Sequence, residues 1–298
     1  MKKKLIDRLS TTLLLCVFLL SPTVQSAELA RIISTDAGST ELIISLGLQD
    51  KLIAIDVTST QPDTEKPLPS IGYHRNLSAE GLMSLNPDAI IGSNHMGPDH
   101  VVEQIKRSQI NLIQLPVAHT VDQLSRNIRS LAQRLNITQL GDTLVAQSNK
   151  VFQTLQEQAL SHDRAVFLLS MDGKLRMAGK KTGGGALVSL LGAKNLADYD
   201  NYRSISAEAL VALQPSIILV SNRDPESGVQ TLLDSHPLLK HTPAGKSGKI
   251  LTVDGRTIVS GGLSISALAE AHRLSDLLHK DSTLAQSSDL KTAQRLQE

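Results

Sequence analysis

The stretch Ser78-Ala79-Glu80-Gly81-Leu82-Met83-Ser84-Leu85-Asn86-Pro87 returns 128 residues later as Ser206-Ala207-Glu208-Ala209-Leu210-Val211-Ala212-Leu213-Gln214-Pro215. Each copy runs into an apolar strand, Ala89-Ile90-Ile91 or Ile217-Ile218-Leu219-Val220, and Arg75 and Arg203 stand at the same offset. A second echo lies upstream. Gly38-Ser39-Thr40-Glu41-Leu42, running on to Leu46-Gly47, matches Gly183-Gly184-Gly185-Ala186-Leu187, running on to Leu191-Gly192. A solenoid stacks many short units. Two copies this far apart predict two similar lobes instead.

The chain opens Met1-Lys2-Lys3-Lys4, continues through the apolar run Leu13 to Leu20, and leaves it at Pro22 to Ser26 with small residues at the cleavage positions. That is the pattern of a secretory signal over residues 1–26, and the run is too short for a membrane span. The only cysteine, Cys16, lies inside it. The mature chain therefore has no disulfide, thiolate metal site or thiol nucleophile. A formal charge of +1, three Phe, three Tyr and no Trp leave neither a basic surface nor stacking platforms for nucleic acid.

Beyond residue 26 strands and helices alternate. Arg31 to Ser34, Leu52 to Ile55, Ala89 to Gly92 and Leu112 to Leu115 read as strands. Ser39 and Ser78 read as helix caps, and Pro62, Pro67 and Pro69 mark a loop. After Ile137 the spacing of Leu140, Leu144, Val151 and Leu155 predicts one connecting helix of about 20 residues. Alternation resumes with strands at Ala165 to Ser170, Leu175 to Ala178, Ile217 to Val220 and Ile250 to Val253, and a helix from Leu263 to His279. The polar last dozen residues read as frayed. The expectation is α/β: two Rossmann-like lobes with parallel sheets, 27–136 and 163–298, joined by a helix in 137–162, with a ligand cleft between them. One spanning helix implies a small hinge motion. The loops expected to line the cleft are 36–40, 72–76, 92–98, 170–182 and 221–227.

Tyr73 follows a glycine and precedes a helix cap, so it is expected on an extended segment. Residues i and i+2 share a face there, which would set Arg75 beside Tyr73 and turn His74 away. An ordinary half-buried tyrosine beside a surface arginine fits the same residues. His95 follows a strand and faces the cleft. His100, His119 and His162 read as solvated, and His236-Pro237 as a turn. Met171, Lys174, Arg176, Met177, Lys180 and Lys181 surround Asp172-Gly173, as in a charged hairpin tip. Arg223 comes directly after a strand.

A secreted two-lobed α/β chain with a single-helix connector resembles the substrate-binding proteins of ABC importers for haem, siderophores and cobalamin, over almost the whole mature length. Gly72-Tyr73-x-Arg75 followed by Leu77-Ser78-Ala79-Glu80-Gly81 is similar to the haemin-binding periplasmic subfamily. The resemblance implies a transported ligand, haem b as Fe(III) protoporphyrin IX, with Tyr73 as axial ligand and Arg75 supporting the phenolate or a propionate. His74, His95, Arg223, Lys174, Arg176 and Lys180 become haem-contacting or supporting residues. Glu80 and Glu208, each seven residues before a proline, correspond to glutamates that dock on arginines of an inner-membrane ABC permease with its ATPase. The protein would work in the periplasm with no stable membrane insertion. Some relatives offer a second-lobe histidine to the iron. No histidine lies between His162 and His236, so that ligand is absent here.

Enzyme motifs fail. Gly245-Lys246-Ser247 lacks the earlier P-loop glycine, since position 240 is Lys240, and it lacks the second glycine of a nucleophile elbow. The expectation is a binding protein rather than an enzyme. A ferric siderophore or cobalamin is the nearest alternative cargo, and a secreted α/β hydrolase the distant one.

Overall fold

The computed structural model describes residues 30–295 apart from 172, 223–225 and 259–261. The expected signal segment, with Cys16, and Arg223 lie outside the described residues.

The first lobe is built on β1 (Ile32–Ser34), β2 (Leu52–Ile55), β3 (Ala89–Ser93) and β4 (Asn111–Leu115), ordered β2-β1-β3-β4 and all parallel. Parallel strands are covered on both faces, so they need continuous apolar runs rather than alternation. Ile32, Ile33, Ile90, Ile91 and Ile113 accordingly have no exposed surface. Helices α1 (Ala37–Ser45), α2 (Ala79–Ser84), α3 (Asp99–Lys106) and α4 (Val121–Arg134) follow the strands.

The cap of α1 differs from expectation. Asp36, not Ser39, holds it: the Asp36 backbone is extended and its Oδ1 accepts from Ser39 N at 2.9 Å. Ser39 is already inside the first turn. An aspartate reaches the free N–H groups of a helix start as well as serine does, and the second Asp36 oxygen also accepts from Ser93 N. One carboxylate thereby ties the start of α1 to the end of β3. Ser78 does cap α2, accepting from Gly81 N at 3.1 Å.

Helix α5 (Thr138–Glu157) spans 20 residues and leads to the second lobe. That lobe holds β5 (Arg164–Met171), β6 (Lys174–Met177), α6 (Gly183–Leu190), β7 (Lys194–Asn195), β8 (Arg203–Ile205), α7 (Ala207–Leu213), β9 (Ile217–Asn222), α8 (Gly228–Ser235), α9 (Pro243–Lys246), β10 (Ile250–Asp254), α10 (Gly255–Ile258) and α11 (Ile265–Arg295). Its sheet is ordered β10-β9-β5-β6-β8, with β7 beside β5. The first sheet is parallel as expected, and the second is mixed. β6 folds back antiparallel on β5 through a tight turn at Gly173, φ 70°, and β8 pairs antiparallel with β6. A two-residue loop can only join antiparallel strands. The edge strand β8 went unforeseen because three residues carry too little periodicity to read.

The repeat is visible in the backbone. Ser206 caps α7 as Ser78 caps α2, and Asn86 and Gln214 both take positive φ, 46° and 50°, before their prolines. The triple glycine of the second copy has a packing cause. A Cβ on Gly183, Gly184 or Gly185 would stand 2.0, 2.3 or 2.1 Å from Ile258 O, the Phe167 ring or Gly179 O. Helix α6 lies that close to its neighbours.

The lobes share one apolar seam. A single buried cluster runs from Ile32 and Leu42 through Leu131 on α4 and Leu144 on α5 to Phe167, Leu187, Leu274 and Leu278. Helix α11 continues to Arg295 rather than ending at His279, with no glycine or proline to stop it. Its start is tied to the first lobe: Leu263 N donates to Ala118 O at 2.7 Å, and Glu41 accepts from Ser266 N and from Ser266 Oγ at 2.9 Å.

Burial pushes the Glu41 carboxyl above its ordinary 4.5, against hydrogen bonds from Ser266 and Ser264. The folded state then binds the extra proton, so stability falls as pH rises from the unfolded value through the folded one. Glu41→Gln is expected to flatten that part of the curve, and denaturant melts on either side of the window should show a pH slope lost in the variant.

Candidate functional site

The C-terminal ends of the parallel strands in both lobes open onto one cleft of about 1380 Å³. That exceeds the roughly 300–1,000 Å³ usual for pockets of drug-sized ligands. Its first-lobe wall is made by Val57 to Thr60 after β2, the turn from Tyr73 to Arg75, His95 after β3 and His119 after β4. Arg176, Lys181, Tyr202 and Asn222 stand on the second-lobe wall.

The segment at Tyr73 is a turn, not the extended segment expected. Asn76 N donates to Tyr73 O at 2.8 Å, closing it with His74 and Arg75 at its centre. Gly72 at φ 83° lets the chain enter. Val57 N donates to Gly72 O at 3.0 Å on one side, and Gly97 N to His74 O at 2.8 Å on the other. Tyr73 is 46 % exposed, a large share for a tyrosine beside a cavity, so its phenol is open to a ligand. His74 does turn away from solvent. Its ring lies 4.3 Å from the Tyr73 ring, centre to centre, and its Nδ1 is 3.3 Å from Asp56 Oδ2. Burial raises the cost of the Asp56 charge, yet hydrogen bonds from His74, Ser59 and Thr58 outweigh it and hold the carboxyl below its usual range.

Two further imidazoles share this wall with His74. Burial first, and then the positive charge of Arg75, keep His95 below the ordinary imidazole range. Burial and Lys181 do the same for His119. Both rings are therefore neutral at neutral pH. His119 was expected in solvent; it lines the cleft, and its Nδ1 is buried without a hydrogen-bond partner.

The second-lobe cations divide. Arg176 lines the cleft and donates to Tyr202 O at 3.4 Å. Lys180 does not line it and reaches Asp198 O at 3.3 Å, and Lys174 is exposed elsewhere on the hairpin. Lys181 faces the cleft instead, paired with Asp200 at 2.7 Å. Met177 points into the core. Arg203, the repeat partner of Arg75, stacks 4.5 Å over the Tyr199 ring and stays out of the main cleft. The expected lining loop 36–40 borders a separate cavity of about 60 Å³ at the seam.

Sequence reasoning passed over Val57 to Thr60, His119, Asn201 and Tyr202. Val57 and His119 had a usable signal, since each follows a parallel strand, where ligands gather. Tyr202 had none, because its place depends on the unforeseen β8. Glu80 and Glu208 are exposed in the first turns of α2 and α7. The Glu208 carboxyl sits below its usual range through its own backbone N–H and Ser206. Among the described residues no group of three or more His, Cys, Asp or Glu could hold a bare metal ion, and no helix is long and apolar enough to cross a membrane.

Two α/β lobes with a large cleft at their strand ends and a shared helical seam define a two-lobed ligand-binding protein. The chain belongs to the periplasmic binding protein family, whose model matches residues 32–257. Proteins of this family act outside the cytoplasm and deliver ligands to ABC transporters; the chain is a binding protein and not an enzyme. Among solved structures it is similar to the periplasmic haem-binding protein HutB of Vibrio cholerae, at 35 % identity and TM-score 0.76, covering 83 % of this chain and 98 % of that one. It is also similar to the periplasmic haem-binding protein RhuT of Roseiflexus sp. RS-1, at 30 % identity and TM-score 0.74, with 84 % and 98 % covered. A curated relative, the vitamin B12-binding protein of Yersinia pestis, is 26 % identical over 224 residues, 74 % of this chain and 77 % of its own.

Removing the Arg75 charge should favour the imidazolium of its neighbour. In Arg75→Gln the His95 titration midpoint is expected to move up toward the ordinary value, followed by NMR of the ring protons.

Proposed function

We propose that the protein binds ferric haem in the interlobe cleft and hands it to an inner-membrane ABC permease. The observation that carries this reading is the half-exposed Tyr73 phenol on the cleft wall, in one turn with Arg75. The similarity to HutB at 35 % identity supports it.

A phenol has an ordinary pKa near 10, so it ligates at neutral pH only where a cation stabilises the phenolate. Ferric haem supplies one such charge, and tyrosine is an established haem ligand. Arg75 supplies another from within the turn. His95, neutral and on the same wall, is suited to hydrogen-bond the bound group. Arg176 and Lys181 face the first lobe across the cleft and suit the propionates; Lys181 takes the role expected of Lys180 and Lys174. Arg223 after β9 remains a candidate for the same task. The vitamin B12-binding relatives make cobalamin the second reading. The half-exposed phenol on the cleft wall favours haem, because tyrosine is an established haem ligand.

Haemin added to the mature protein is expected to give a stoichiometric high-spin ferric phenolate spectrum that Tyr73→Ala abolishes. A low-spin imidazole-type spectrum surviving that change would move the ligand to His95 or His119, and saturable cobalamin binding without haem binding would replace the cargo.

In this reading a signal over residues 1–26 directs the chain to the periplasm. Glu80 and Glu208, at matched positions of the two repeats, form a two-point docking surface for permease arginines. Reversing both charges, Glu80→Arg with Glu208→Arg, should remove stimulation of the transporter's ATPase in liposomes and leave haem affinity unchanged.

A further inference from the structure

The residue directly after β2 is Asp56, and its side chain is completely buried. A carboxylate is kept in such a place only when its lone pairs are satisfied. Oδ1 accepts from Ser59 N at 3.0 Å and Ser59 Oγ at 2.7 Å, and Oδ2 accepts from Thr58 Oγ1 at 2.7 Å and faces His74 Nδ1 at 3.3 Å. The network continues inward. Thr40 Oγ1 lies 2.7 Å from both Ser59 Oγ and Ser34 Oγ, which joins α1 and the end of β1 to the same group. Toward the cleft, Thr58 and Ser59 lead from Asp56 to the wall beside β2, and the His74 ring leads from Asp56 to Tyr73, against whose ring it packs.

We propose that Asp56, acting through His74, is the strut that positions the Tyr73 phenol for its iron. This rests on the reading of Tyr73 as the haem ligand. Asp56 is covered and touches no cargo; it is a positioning residue. Tyr73 stands on a turn that backbone bonds fix at Gly72, His74 and Asn76, but none of these constrains the direction of its half-exposed side chain. The His74 ring does so, and it is held by a carboxylate anchored to the first two strands. Partners of a metal ligand that orient it in this way lower metal affinity by about 10–100-fold when removed.

The test uses the full mature chain, haemin, and four variants beside wild type and Tyr73→Ala: Asp56→Ala, Ser59→Ala, His74→Leu and His74→Asn. His74→Leu and Asp56→Ala are expected to weaken haemin binding by about 10–100-fold and to shift or weaken the phenolate-to-iron charge-transfer band of the haem that still binds. His74→Asn, which returns a donor near the place of Nδ1 but no ring against Tyr73, should restore both in part. Ser59→Ala should give a smaller loss in the same direction, and it stands in if Asp56→Ala does not fold. A His74→Leu protein with the wild-type band and affinity overturns the strut. So does a loss of affinity that tracks the apo melting temperature, with an unchanged band and no rescue by His74→Asn, because that is the behaviour of a merely structural pair. If wild type itself shows no phenolate band, the reading of Tyr73 fails; if the band is present and insensitive to His74, only the strut fails.

Discussion

The apolar seam behind the cleft is the constraint on which the molecule depends. Parallel strands finish at one edge of their sheet, so each lobe alone would present its loops to open solvent. Burying Leu131, Leu144, Leu187 and Leu274 in one cluster packs α4, α5, α6 and α11 into a common layer and turns the two strand-end edges toward each other. Apolar burial contributes about 25 cal/mol per Å², so a seam of this kind resists separation more strongly than a few surface contacts. The cleft is a consequence of that packing, and it can be large because the seam lies behind it.

Buried carboxylates then fix what the apolar layer leaves loose. Asp36, Glu41 and Asp56 come from the first lobe and each accepts from backbone N–H groups: Ser39 and Ser93, Ser266, and Ser59. Asp36 and Asp56 stand just after the ends of β1 and β2, where free N–H groups need partners, and Glu41 stands within α1. Asp36 joins two strand ends, Glu41 joins the lobes, and Asp56 joins the sheet to the Tyr73 turn. The loops that meet cargo are in this way attached to rigid elements, as a binding site requires.

The two repeats have separated in function at the residues around them. Glu80 and Glu208 occupy the same helical position and are both exposed, so one surface feature is conserved between copies. Arg75 and Arg203 share an offset but not a role. The first stands in a turn outside the sheet and lines the cleft. The second belongs to strand β8, whose pairing with β6 holds it at the sheet edge over Tyr199. Identical spacing gives different placement wherever the backbone pairing differs.

The sequence alone determined the two-lobed α/β plan, because a repeat and apolar strand runs are local signals that burial on both faces demands. It also determined the cap of α2 and the reach of α5, and it singled out Tyr73 and Arg75 as a candidate pair through motif and resemblance. Its route to that pair was mistaken, since Tyr73 and Arg75 meet the cleft from a turn rather than along one face of an extended segment. Only the tertiary structure decided this, along with the lining of the cleft by Lys181 rather than Lys180, the place of Tyr202 in that lining, and the meeting of Asp56 with His74. The physical reason is common to all four. Each depends on a contact between segments distant in the chain, and a turn closed by loops 57 and 97, or a carboxylate satisfied from 59 and 74, leaves no periodicity in the residues themselves.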